Sequence, residues 1–210
     1  AVLCLHCEDT EIFYPEQRLT FDNPELDQYH LSSYSKARPD FGEASAVLSV
    51  LWVNHVVDGN IYIVHNSAGA DVRLARQLKP ILRGRVGMET CPHYLVLDEN
   101  CPAQLNATVV PPIRTAADSE ELWEGIKDGT ITSMGTDNCP CDVATKYKKG
   151  TDIEHVIPGF PGAGMILPTL INDGYHKRGI SLSQLSKVNS INSARKFGLK
   201  HKGEMKVGFD

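Results

Sequence analysis

The stretch Asn60–Glu89, NIYIVHNSAGADVRLARQLKPILRGRVGME, holds a strand, a helix and a second strand in immediate succession. Asn60 to His65 is a short apolar, β-branched run. Val72, Leu74, Ala75, Leu78 and Ile81 then recur at helical spacing over Ala70–Leu82, and Arg85–Glu89 is apolar again. Short apolar runs bounded by polar or Gly residues are the pattern of strands buried on both faces of a parallel sheet. The same alternation extends outward. Upstream lie a run from Val2 to His6 and an amphipathic segment from Glu43 to Val57. Downstream, a helix is predicted from about Ala117 to Lys127, with Thr115 or Asp118 as N-cap and Gly129 as its stop, and then a strand over Ile131–Thr136. Strand and helix in strict alternation define an α/β class with a parallel sheet.

Flanking segments read differently. Residues 8–42 are polar, with prolines at 15, 24 and 39, and are expected to form a long connection with one short helix at most. Beyond Gly162 the periodicity is helical over Met165–His176, Ser181–Val188 and Ser190–Phe197, with Ser181 and Gln184 spaced as a capping box. The chain opens on Ala1-Val2-Leu3-Cys4-Leu5, a core strand entered in the middle, and closes where a strand is about to begin. It is therefore expected to be a segment of a longer protein.

Composition narrows the function. The chain has 210 residues, a formal charge of −5 and 22 % charged residues. That length supports a sizeable core but is short of the roughly 250 residues usual for a complete eight-stranded α/β barrel. A mildly acidic chain without a basic run lacks the electrostatic footprint of a nucleic-acid binder. No apolar stretch approaches the roughly 20 residues that span a bilayer, so no nucleic-acid or membrane partner is expected, and the cytoplasm is the expected location. Six cysteines are too few for a disulfide scaffold. Cys4-Leu5-His6-Cys7 has C-x2-C spacing, but a strand would turn Cys4 and His6 one way and Cys7 the other, against a zinc knuckle.

Three strands end in residues able to hold a metal: His6, followed by Glu8-Asp9, His65, and Asp137 in Gly135-Thr136-Asp137-Asn138. In an α/β barrel the active site lies at the C-terminal ends of the strands, so all three share one address on the fold. Two imidazoles and a carboxylate suit Zn²⁺ with an open position. The other histidines are read as surface or turn residues, including His93 in Thr90-Cys91-Pro92-His93. No Ser sits in a G-x-S-x-G elbow. Gly159-Phe160-Pro161-Gly162-Ala163-Gly164 lacks the Lys-Ser/Thr of a phosphate loop and reads as a flexible cover over the strand ends.

Taken in order, His6-Cys7-Glu8-Asp9, Arg38-Pro39 with Glu43-Ala44, Ile63-Val64-His65-Asn66-Ser67, Glu89-Thr90-Cys91-Pro92-His93-Tyr94-Leu95, Pro111-Pro112-Ile113-Arg114, Gly135-Thr136-Asp137-Asn138-Cys139-Pro140 and Asn192-Ser193-Ala194-Arg195 resemble the cyclic amidohydrolases. This family comprises the hydantoinases, dihydropyrimidinases, allantoinases and dihydroorotases. The resemblance implies a distorted (β/α)8 TIM-type barrel of which residues 1–198 carry strands five to eight, truncated at both ends. Residues 199–210 would begin the return to a small β-domain.

By the same resemblance His6, His65 and Asp137 are metal ligands, and Asp137 is also the catalytic proton shuttle. Two Zn²⁺ ions would be bridged by a carboxylated lysine and held by an H-x-H pair, both upstream of Ala1, so these 210 residues alone are expected to be inactive and to bind metal weakly if at all. Val110, Cys91 and Asn138 are the implied substrate-binding positions. The implied partners are a small cyclic amide and further copies of the chain, as a dimer or tetramer.

Some positions depart from the pattern. Val110 stands where hydantoinases commonly have Ser and allantoinases Asn, Asn138 stands where His often follows the aspartate, and the Glu often found after P-G-x is missing at 161–164. No Arg is placed against a substrate carboxylate, which weighs against dihydroorotase. Thr90-Cys91-Pro92 and Cys139-Pro140 lean towards hydantoin or dihydropyrimidine ring opening, with allantoinase or dihydroorotase as alternatives. A non-catalytic scaffold of the same family is a further alternative, opposed by the joint presence of His6, His65 and Asp137.

Overall fold

The computed structural model describes residues 1–210. Its centre is a four-stranded sheet of β1 (Leu3–Leu5), β2 (Asn60–Ile63), β3 (Arg85–Thr90) and β4 (Ser133–Met134). The strands lie side by side in sequence order and every pair is parallel. Helices α3 (Asp40–Val57), α4 (Gly69–Leu78) and α6 (Ala116–Asp128) form the crossovers. Neighbouring crossover helices pack on each other, α3 on α4 and α4 on α6. Sequential order with adjacent crossovers is the singly wound arrangement of a barrel wall rather than a doubly wound sheet.

Period two divides the sheet into two faces. Ile61, Ile63 and Met88 are buried in the core with Val72, Ala75 and Ile126 of the helices. Tyr62, Gly87, Glu89 and Ser133 take the opposite face, which in a barrel is the interior. Close packing sets one glycine: a Cβ on Gly125 of α6 would fall 2.8 Å from Val72 and 2.9 Å from Ile131. Helix α6 carries a full capping box between Thr115 and Asp118, and Gly129 ends it in the left-handed region at φ 79°.

Segment 8–42 is more helical than its composition suggests. It forms α1 (Thr10–Phe21), which runs through Pro15, and α2 (Leu31–Ala37). Asp9 caps α1 through Glu11 N–H at 3.1 Å, and His30 caps α2 through Ser32 N–H. These polar residues, read as loop formers, are caps. Expected strand Ile131–Thr136 is reduced to two paired residues, and helix Ala70–Leu82 stops at Leu78, with Pro80 just beyond.

Short helices α5 (Pro92–Val96) and α7 (Val143–Lys146) lie in the loops after β3 and β4. The C-terminal helices contain π-helical turns. Helix α8 (Ile166–Thr169) continues as a π segment over Leu170–His176. Helix α9 (Leu182–Ser186) runs through a second, Lys187–Ile191, into α10 (Asn192–Lys196). The two helices expected over 181–197 are thus one irregular rod. Ser181 caps it by accepting Gln184 N–H, but Gln184 Nε2 donates to Ile126 O instead of closing the box. Asn192 Nδ2 donates to Thr132 O, and Lys196 Nζ to Asn60 Oδ1 and Arg85 O, so α10 covers the N-terminal ends of β2–β4. Residues 199–210 form turns, and no strand starts among them.

Candidate active site

All three proposed metal ligands follow the C-terminal ends of strands: His6 after β1, His65 after β2 and Asp137 after β4. The two histidines meet. His6 Nδ1 lies 3.0 Å from His65 Nε2, with the rings edge to face at 4.7 Å between centroids. Strict alternation would place His65 on the helix side with Ile61 and Ile63. Its backbone is instead left-handed, φ 41°, which takes it out of the alternation and lets its ring reach His6. Asp137 is likewise left-handed at φ 42°. Non-Gly residues pay roughly 1–3 kcal/mol for such conformations and keep them where the surroundings impose them, commonly at functional sites.

Neighbouring groups orient the histidines. Glu8 Oε2 lies 2.8 Å from His6 Nε2, so the carboxylate holds Nε2 as the protonated nitrogen and leaves the Nδ1 lone pair facing His65. Arg38 grips Glu8 with two bonds, Nε to Oε1 at 2.9 Å and Nη2 to Oε2 at 2.6 Å. Burial pushes the Glu8 carboxyl up, but the hydrogen bonds from His6 and Arg38 outweigh it and hold it below its ordinary range. His65 is buried, and burial, then the His6 charge, favours its neutral form. Its Nδ1 has no partner.

A second ionic cluster lies beneath the strand ends. Glu43 of α3 accepts Ser67 N–H at 2.7 Å and Arg114 Nη2 at 3.0 Å, while Arg114 Nε donates to Ser67 Oγ at 3.1 Å and Nη1 to Arg38 O. Arg38 and Arg114 thereby connect the supports of both histidines. Asp71, fully buried beside Glu43, has its carboxyl raised well above the ordinary range by burial and then by the Glu43 charge. On the inner sheet face, Glu89 accepts Tyr62 Oη–H at 2.7 Å and His65 N–H at 3.3 Å.

The donor set suits a divalent cation in part. Two imidazole nitrogens converge, one ring oriented by Glu8, and Asp137 lies near enough for its charge to act on His65 and Glu89. No group of three or more His, Cys, Asp or Glu side chains is gathered closely enough to hold an ion by itself. Asp9 serves α1 and takes no part.

The implied substrate positions are scattered in role. Cys91 is fully buried, its thiol raised by burial and by Glu89 and Asp137, so it is no nucleophile. Val110 is half-buried ahead of a cis peptide bond to Pro111. Asn138 is exposed, and its Oδ1 accepts Gly162 N–H at 2.9 Å and Ala163 N–H at 3.2 Å, tying the glycine-rich loop to the end of β4. Phe160 of that loop lies 5.0 Å from the buried His93 ring. Cys4 is exposed on β1, Cys7 lies past its end and is buried, and all six cysteines are free.

The chain is 32 % identical to the allantoinase of Deinococcus radiodurans over 212 residues, all of this chain and 46 % of that one. It is 32 % identical to that of Rubrobacter xylanophilus over 86 % of this chain and 39 % of the relative. Among solved structures, dihydropyrimidinase from Brevibacillus agri superposes with a TM-score of 0.90 at 26 % identity, and L-hydantoinase from Arthrobacter aurescens with 0.90 at 25 %. Each match covers the whole of this chain and 46 % of the other. A yeast dihydroorotase shares the fold alone, with a TM-score of 0.68 at 15 % identity. No protein-family model matches. The chain belongs to the cyclic amidohydrolase family, and it spans about half the length of the relatives it matches.

Proposed function

We propose that this chain supplies one half of a metal-dependent active site that opens a cyclic amide ring by hydrolysis. The observation that carries this is the 3.0 Å approach of His6 Nδ1 to His65 Nε2 with Glu8 behind the first ring. His6 and His65 would hold a divalent metal, Zn²⁺ by the chemistry of the donors. A bound ion, or two as in the family, supplies the Lewis acidity that acidifies water and polarises the amide carbonyl. Asp137 takes the proton of the attacking water and delivers it to the ring nitrogen as the C–N bond breaks, first base and then acid. The remaining ligands, an H-x-H pair and a carboxylated lysine, are not among residues 1–210.

The substrate class is a ring containing the N–C(=O)–N unit that hydantoin, allantoin and dihydropyrimidines share. The motifs lean towards hydantoin and dihydropyrimidine, whereas the sequence relatives named above are allantoinases. No helix is long and apolar enough to cross a membrane. We place the protein in the cytoplasm as a dimer or tetramer, with residues 1–198 in the barrel and 199–210 leading to a small β-domain. The full-length protein that contains this chain, loaded with Zn²⁺ or Co²⁺ and offered hydantoin, dihydrouracil, allantoin and dihydroorotate, should open at least one ring and lose that activity to a chelator. Turnover of none by metal-loaded protein would overturn the enzyme reading and favour a scaffold.

A further inference from the structure

We propose that Glu89 is a positioning residue whose carboxylate, seated in the gap at Gly135, sets His65 and Asp137 relative to one another. The inference rests on the proposed metal site. Glu89 stands on β3, between the strands that carry those two residues, and its side chain lies on the inner sheet face. One carboxylate oxygen, Oε2, accepts the Tyr62 hydroxyl at 2.7 Å, and that hydroxyl is also 2.7 Å from Ser133 Oγ. The other, Oε1, accepts the backbone N–H of His65 at 3.3 Å. The Glu89 carbonyl accepts Asn66 N–H at 2.8 Å and Asn66 Nδ2 at 2.7 Å, anchoring the next residue as well.

Gly135 supplies the space. A Cβ there would fall 2.3 Å from both Cδ and Oε1 of Glu89, so any side chain at 135 displaces the carboxylate. Gly135 N–H is held by Thr90 O at 2.9 Å, which fixes the strand two residues before Asp137. One carboxylate thus contacts the backbone of one left-handed strand end and abuts the strand leading to the other. Left-handed non-Gly residues persist only where neighbours impose them, and Glu89 is the side chain placed to do so for both. Conserving the acceptor, not the charge, is what this role requires of position 89.

Four variants of the full-length protein that contains this chain separate the possibilities: Glu89→Gln, Glu89→Ala, Gly135→Ala and Tyr62→Phe. Gly135→Ala matters most, because only the far end of a flexible side chain need move to admit the methyl group. Two readouts are used. In metal-free protein, the ¹⁵N resonances of the His6 and His65 rings report their contact. In Co²⁺-loaded protein, the visible absorption band reports ligand geometry and its titration gives affinity. Glu89→Ala and Gly135→Ala should both shift the ring resonances and weaken Co²⁺ binding tenfold or more, Tyr62→Phe should do so by a few-fold, and Glu89→Gln should stay within about threefold of the parent with its band unchanged. Unshifted resonances and parental affinity in both alanine variants would overturn the inference while leaving the metal site standing. Shifted resonances in the two alanine variants, together with a parent protein that binds no Co²⁺, would instead uphold the positioning and overturn the metal reading. Should Glu89→Ala fail to fold, Gly135→Ala and Tyr62→Phe carry the same decision.

Discussion

His6 Nδ1 and His65 Nε2 lie 3.0 Å apart across two neighbouring parallel strands, though 59 positions separate them in sequence. Glu8 makes that approach chemically useful by holding the far nitrogen of His6. Carboxylates that orient a ligand histidine in this way typically change metal affinity by about 10–100-fold. Glu8→Gln should therefore weaken Zn²⁺ binding by about 10–100-fold, measured by competition with a chromophoric chelator. Parental affinity in this variant would show that the Glu8 contact does not set the ring.

Arg114 and Glu43 form an ion pair with side chains only 4 % and 2 % exposed. Removing one member of such a pair strands the other charge and costs about 3–5 kcal/mol. Arg114→Met leaves Glu43 beside Asp71 with no counter-charge. A drop of that size in unfolding free energy is the expected outcome of urea titration at pH 7. A loss below 1 kcal/mol would mean that water reaches the cluster.

Asp71 gives the opposite sign. Its carboxyl is raised in the folded state by burial and the Glu43 charge, so folding is favoured below the unfolded carboxyl value and penalised as pH rises through the folded one. Asp71→Asn keeps the shape without a group that ionises. Relative to the parent, the variant should gain stability as pH rises above the unfolded carboxyl value of about 4, read in paired urea titrations. A difference independent of pH would refute the raised carboxyl.

His93 governs the acid side. Burial, then the His65 charge, pushes its imidazole down to about 3. The unfolded chain takes up that proton near pH 6.5, so the folded state loses stability as pH falls from there towards 3. The slope is close to 1.36 kcal/mol per pH unit, or about 2–3 kcal/mol between pH 6 and 4. His93→Gln should flatten thermal or urea stability across that interval.

The strand ends were the legible part of the site. His6, His65 and Asp137 each close a short apolar run, and alternating patterns fix where such runs end. The supports were not legible in the same way. Glu43, Asp71 and Arg114 come from two helices and a loop, and nothing in local spacing says that their side chains converge. Glu89 belonged to the most distinctive motif, but the gap it fills at Gly135 is created on another strand. Polar segment 8–42 hid two helices because Asp9 and His30, which resemble loop residues, are their caps. π turns left no trace in a 3.6-residue pattern, so one irregular rod read as two ordinary helices.

That rod has a consequence for tolerance to change. A π turn carries one residue more than an α turn, and each residue is worth about 100° of rotation. Deleting one position within Lys187–Ile191 would restore regular pitch and keep the facing of Asn192 and Lys196, whereas inserting one more residue than the π turn already absorbs would spin them away from Thr132, Asn60 and Arg85. The bottom of the sheet is sealed by a bolt whose fit depends on counting, not on which amino acids fill the count: substitutions and a one-codon deletion there should be mild, and a one-codon insertion severe.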